Sequence, residues 1–141
     1  MLPRDFTSVN RKERMKIESR GLPVRPADER VMDFDEAIIR LDKEWAVHEA
    51  SRCIHCPDPA PCQKACPADN DISYALWLIE NEQFSEAASI YRQTSSLPEV
   101  CGRICPKKNC VKGHVSVGKK RTYPFQLVLW KHSPHTMSAA R

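Results

Sequence analysis

An all-α fold is the class this sequence predicts, on three observations. Apolar residues recur at steps of three and four, as in Ile72, Ala75, Leu76 and Ile79, the period of a helix with one buried face. Glycine is scarce, at 4 of 141 residues, and runs of β-branched residues are absent, so little favours strands. Eleven prolines punctuate the chain, and Pro57, Pro59, Pro61 and Pro67 crowd around one group of cysteines. Helices joined by rigid, irregular loops follow from that punctuation. The length suits one compact domain.

The elements can be taken in order. Met1 to Met32 carries Pro3, Pro23, Pro26 and many charges without a sustained helical period, and is expected as an extended N-terminal arm, residues 1–32. Phe34, Ile38, Leu41, Trp45 and His48 recur at helical steps, predicting an amphipathic helix from Asp33 to about Ala50 that delivers the chain to Cys53. Ile72 to Ile79 forms the next helix. After Asn81 to Phe84 a short helix opens at Ser85, a suitable N-cap, with Ala88, Tyr91 and Arg92 along it,. The two make an αα-hairpin. Trp45, Tyr74, Trp77 and Tyr91 read as core packing rather than as stacking platforms or electron relays. Tyr123-Pro124 starts a last helix, Phe125 to about His132, with Pro124 fit for its first turn,. Its face of Phe125, Val128 and Leu129 closes the domain or docks a partner. Residues 33–132 are thus the expected helical domain and 133–141 a flexible tail.

The cysteines carry the chemistry. They read Cys53-x2-Cys56-x5-Cys62-x3-Cys66-Pro67 and, 34 residues on, Cys101-x3-Cys105-Pro106-x2-Asn109-Cys110. A disulfide framework needs an oxidising compartment, but Met1 to Arg20 is charged, lacks an apolar run and has no twin arginine, so no export signal is read there. A cytoplasmic location follows, where thiols stay reduced, and the odd number of cysteines, 7, also argues against full pairing. Zinc suits cysteine pairs with a nearby histidine, but structural zinc sites usually take two ligands from each of two knuckles. Four cysteines at x2, x5 and x3 ending in Cys-Pro instead follow the ferredoxin pattern, in which three hold one cubane and the fourth reaches another. Two 4Fe-4S clusters are expected, with folding coupled to their binding.

With these residues in view, the stretch from Glu49 to Phe125 resembles the N-terminal iron–sulfur domain of the glutamate synthase small subunit, which also opens dihydropyrimidine dehydrogenase. The likeness rests on EASRCIHCPDPAPCQKACP, on LIENEQFSEAASIYRQTSSLPEVCGRICPKKNCV and on VSVG. It implies an α-helical ferredoxin-like domain with cluster-binding loops and two 4Fe-4S clusters whose ligands interleave. By that resemblance Cys53, Cys56 and Cys62 hold the first cluster, and Cys66, Cys105 and Cys110 the second. The family completes the first cluster with a cysteine four residues beyond the position of Cys110, where this chain has His114. Histidine can ligate iron and raises the potential by replacing a thiolate; the competing reading is a deletion that leaves His114 a loop histidine. The family's Gln or Glu ligand of the second cluster falls on Arg121, which has no lone pair for iron. Gln126 after re-registration, Cys101, a partner subunit or solvent remain as substitutes. Cys101 matches a non-ligand position of the family and is expected to be a buried structural thiol.

Charge divides the chain. Residues 33 to 99 hold 5 Lys/Arg against 13 Asp/Glu, and residues 100 to 141 hold 9 Lys/Arg and no acid. Without interleaved aromatics or a helix-turn-helix pattern this does not read as a nucleic-acid surface. Arg103, Lys107, Lys108 and Lys112 would offset a negatively charged cluster, and Lys119, Lys120, Arg121 and Lys131 could steer an acidic partner. No Gly-x-Gly-x-x-Gly turn, phosphate loop, catalytic triad or span of transmembrane length occurs in these residues,. The expected function is that of an electron-transfer subunit without a catalytic site of its own. It would relay electrons within a larger cytoplasmic oxidoreductase complex whose partner subunit carries flavin, molybdenum or nickel–iron. The alternative is a non-redox adaptor, in which an iron–sulfur or zinc site staples the fold and the basic face recruits a partner.

Overall fold

The computed structural model describes residues 4–21, 23–39 and 41–105, and within them the chain is helical, with no strand; Val24 and Ile38 meet there as an isolated antiparallel bridge. The all-α expectation is met. The expected helix Phe125 to His132 and the tail 133–141 lie outside the described residues.

Three helices make the centre: α3 (Lys43–Ser51), α5 (Ile72–Glu80) and α6 (Phe84–Arg92). The middle one, α5, packs on both others and buries Ser73, Tyr74, Ala75, Leu76, Leu78 and Ile79. It is apolar nearly all round because it has neighbours nearly all round. Alanines at 46, 50, 75 and 87 are buried between the helices, where small side chains let backbones approach. Tyr74 and Tyr91 are buried, and Trp45 and Trp77 pack partly buried against the same cluster, so the aromatics serve the core as expected.

Each central helix has a local reason for its ends. Asp42 caps α3, its carboxylate accepting the Trp45 N–H at 2.7 Å, and Asp71 caps α5 by accepting the Tyr74 N–H at 3.1 Å; such caps contribute about 1 kcal/mol each. The α5–α6 turn closes with Gln83 N–H donating to the Leu78 carbonyl at 2.8 Å and Glu82 N–H to the Ile79 carbonyl at 2.9 Å. This pairing is the Schellman motif, which wants glycine at its left-handed residue. Glu82 occupies that place with φ 62°.

Two boundaries differ from the sequence reading. The helix expected from Asp33 begins at Lys43, because residues before the Asp42 cap are used otherwise. Ala37 and Pro23 carbonyls accept the Arg25 and Ile39 N–H groups at 2.8 and 2.9 Å, while Asp33 grips Arg25 at 2.6 and 2.9 Å. Phe34 therefore faces solvent, 109% exposed. The second hairpin helix starts at Phe84 with Gln83 as its N-cap, not at Ser85, since the tight Schellman turn ends at Gln83 and leaves Ser85 inside the first turn.

The N-terminal arm runs across the helices, interrupted by the one-turn helices α1 (Arg11–Arg14) and α2 (Ala27–Arg30). Glu49 fastens it midway, accepting the Arg20 N–H at 2.7 Å while also pairing with Arg52. Both charged side chains are buried, and their mutual pairing offsets a desolvation that would otherwise be costly. Two short helices complete the described chain: α4 (Pro61–Lys64) and α7 (Pro98–Ile104), each opened by proline, whose missing N–H costs nothing in a first turn.

Candidate metal centre

The end of α3 sets the first cysteine. Arg52 is its C-cap, and Cys53 N–H bonds the Ala50 carbonyl at 3.0 Å. The backbone then turns at His55, φ 45°, to reach Cys56. Pro61 opens α4 and puts Cys62 in its first turn; Cys66 follows, its N–H on the Gln63 carbonyl at 2.9 Å. Cys53 is buried, Cys56, Cys62 and Cys66 are half-buried, and all the described cysteines are free thiols.

Three of these thiols sense one another. Burial pushes the Cys56 thiol up, and the charge of Cys53 pushes it further, against Arg11. Cys62 is pushed up to about 12, by burial first and then by the charges of Cys53 and Cys56. The half-buried thiols of Cys56 and Cys62 resist ionising beside Cys53 unless positive charge enters between them. A metal core supplies that charge and inverts the local preference, because a coordinating thiol is deprotonated outright. The donor set therefore fits a thiolate-held iron–sulfur cluster. Among the described residues no three His, Cys, Asp or Glu side chains close around a point suited to a single metal ion.

Sequence reasoning passed over His55, treating it as a spacer between Cys53 and Cys56. Its side chain is wholly buried, stacked on Phe6 with centroids 4.5 Å apart and edge-on to Trp77 at 5.5 Å. Nδ1 lies 3.3 Å from Ser73 Oγ and Nε2 3.5 Å from Glu80 Oε2. Burial opposes protonation of the ring, but hydrogen bonds to Cys53 and Glu80 outweigh it and hold the imidazole above its ordinary pKa. Burial likewise opposes ionisation of Glu80, and hydrogen bonds from His55 and Arg14 more than reverse this. The packing around the ring fixes a left-handed conformation that a non-glycine residue seldom adopts. A histidine inside a Cys-x2-Cys spacer was the one available signal.

Arg14 and Arg11 were also missed. Arg14 clasps Glu80 at 2.6 and 2.8 Å, and both arginines reach the carbonyls of residues 51 to 55. Arg4 joins Asp58 and Asp71 from the same side and lies over the Tyr74 ring at 4.9 Å.

The second group of expected ligands starts at Cys66, whose sulfur accepts from Asn70 Nδ2 at 3.4 Å; buried Asn70 is held in turn by Thr94. Cys105 is the C-cap of α7, its N–H on the Cys101 carbonyl at 2.9 Å. Cys101 is exposed, with Ser95 Oγ 3.6 Å from its sulfur, which corrects the expectation of a buried thiol. On α7 the buried place is taken by its neighbour Gly102, so the helix turns Cys101 outward. Cys110, His114, Arg121 and Gln126 lie outside the described residues. Among the described residues no helix is long and apolar enough to cross a membrane.

Comparison with known proteins gives the same direction. Residues 30–131 match the model of the family described as dihydropyrimidine dehydrogenase domain II, 4Fe-4S cluster. The glutamate synthase [NADPH] small chain of Azospirillum brasilense is 38% identical over 109 residues, 70% of this chain and 22% of that protein. That of Halomonas elongata is 38% identical over 89 residues, 63% of this chain and 19% of the relative. Subunit PreT of the NAD-dependent dihydropyrimidine dehydrogenase of Escherichia coli is 42% identical over 86 residues, 60% of this chain and 21% of PreT. The chain thus spans about a fifth of the length of these relatives.

Proposed function

As a member of the dihydropyrimidine dehydrogenase domain II, 4Fe-4S cluster family, the chain has an iron–sulfur electron-transfer role, and we propose that it carries two such clusters and relays electrons inside a larger oxidoreductase complex. The observation that carries the proposal is the trio Cys53, Cys56 and Cys62, free, buried or half-buried, and within reach of one another's charge. On this reading the trio holds the first cluster with His114 as its fourth ligand, and Cys66, Cys105 and Cys110 hold the second. The bound clusters would supply reversible one-electron storage near the surface of a helical scaffold.

The protein's own residues do the rest. Burial of Cys53 and of the His55 ring keeps water from one side of the ligand loop. Asn70 offers a hydrogen bond to the Cys66 sulfur, one of the interactions that set a cluster's potential. The arm, residues 1–32, stands ahead of a domain spanning 33–132, followed by the tail 133–141. Reduced thiols of this kind suit the cytoplasm. The relatives are named as a small chain and as a subunit, which supports a partner that brings its own redox centre, a flavin, molybdenum or nickel–iron enzyme.

Ligand substitution tests the assignment. Cys62→Ser and Cys105→Ser should each remove a different component of the EPR spectrum of the dithionite-reduced chain. Loss of one and the same component in both variants would show that the two cysteines serve a single cluster.

A further inference from the structure

Residues 4–20 precede the stretch 30–131 that matches the family, yet they hold the first ligand loop from outside. Arg14 Nη1 donates to the carbonyls of Ser51 and Cys53, each at 3.0 Å. Arg11 donates through Nε to the Ile54 carbonyl and through Nη2 to the His55 carbonyl, each at 3.2 Å. Four successive or near-successive carbonyls are therefore gripped by two guanidinium groups, an arrangement that needs the planar, many-donor fork of arginine and not the single ammonium of lysine. Glu80 fixes Arg14 in place through two bonds, and Phe6 closes over the His55 ring.

A trans peptide unit is planar and points its C=O and N–H in opposite directions. The carbonyl of His55 belongs to the peptide whose N–H is that of Cys56, so Arg11 on one side commits that N–H to the other. Arg11 thus sits at the carbonyl end of the peptide that leads into Cys56.

We propose that Arg11 and Arg14 are positioning residues for the first cluster: gripping the carbonyl side of residues 51–55, they fix the backbone that carries Cys53 and Cys56, hold two positive charges beside it and raise the cluster's reduction potential. The proposal rests on the assignment of Cys53, Cys56 and Cys62 to one cluster. The fixed guanidinium charges act in that direction, since positive charge held near the cluster favours adding an electron.

The test is an anaerobic redox titration of the full reconstituted chain, followed by EPR, with Arg11→Gln, Arg11→Lys and Arg14→Gln beside the parent. Arg25→Gln serves as the charge control, because Arg25 pairs with Asp33. Arg11 is exposed, so its replacement leaves the core intact. Removing one guanidinium charge from beside the ligand loop should lower the reduced-to-oxidised ratio at fixed potential about tenfold, equivalent to about 59 mV for one electron. The shift should fall on the reduction step that Cys56→Ser abolishes, should be smaller in Arg11→Lys, and should be absent in Arg25→Gln. Iron content like the parent's with an unchanged ratio in both Gln variants overturns the clamp and leaves the cluster assignment standing. An equal shift in Arg25→Gln overturns it too, by assigning the effect to charge at a distance. A parent chain without iron overturns the assignment and the clamp together.

Discussion

Replacing Arg14 by glutamine tests whether the N-terminal arm is held by its pairing with α5. In the parent the guanidinium meets Glu80 at 2.6 and 2.8 Å, with the two side chains 14% and 21% exposed. That exposure lies between two regimes: surface pairs contribute about 0–1 kcal/mol, and breaking a buried pair costs about 3–5 kcal/mol. Partial access of water brings the loss to about 2 kcal/mol. The carbonyls of Ser51 and Cys53 lose charged donors but regain water once the arm lifts, which adds at most about 1 kcal/mol. A destabilisation of about 2–3 kcal/mol raises the population of the detached arm roughly 30- to 150-fold. Trypsin cleavage after Lys12 or Lys16, at limiting protease, tracks that population when opening is faster than cleavage, and both sites survive the substitution. A double-mutant cycle with Glu80→Gln should return a coupling of about 1–2 kcal/mol. Cleavage within about threefold of the parent, or a coupling near zero, would refute the claim that this pair holds the arm.

Three further outcomes are expected. Glu82→Gly relieves the left-handed residue of the α5–α6 turn, φ 62°, and should stabilise the chain by about 0.5–1 kcal/mol, the exposed pairing with Lys43 at 2.6 Å counting for little; a lowered denaturant midpoint would contradict this. Asp33, held by Arg25 at about 2 against an ordinary 3.8, lends the 25–33 loop a stabilisation complete above the ordinary value and lost only as pH falls through the lowered one. Carboxyl carbon-13 titration down to pH 3 should therefore leave Asp33 mostly ionised, and Arg25→Ala should bring its midpoint back toward 3.8. Cys101→Ser, at an exposed position, should retain the parent's iron content, and a loss of iron would return Cys101 to the ligand set.

How much of this was legible in the sequence depends on how local each cause is. The helix Ile72 to Glu80 was readable because its own period of Ile72, Ala75, Leu76 and Ile79 coincides with a helix buried on nearly all sides. The cysteine loop was readable because ligand spacing is local by nature. The start of α3 was not, since Phe34 and Ile38 match the helical step while the backbone at Ile38 serves the Val24 bridge instead; only the Asp42 cap marked the true beginning. Cys101 was misjudged because burial on a short helix depends on which face meets the core, and Gly102 meets it. The arm's grip on the ligand loop left no trace in sequence pattern, because Arg11 reaches 43 and 44 residues along the chain and Arg14 as far as 66. Contacts of that separation are properties of the fold.

The most direct measurement is anaerobic quantification of iron, acid-labile sulfide and zinc on the purified full chain, with EPR spectra before and after dithionite. Two 4Fe-4S clusters require about eight iron and eight sulfide per chain and two interacting signals on reduction. Zinc in place of iron, or a single cluster that dithionite leaves unchanged, would contradict the electron-transfer account and favour an adaptor whose metal only holds the fold.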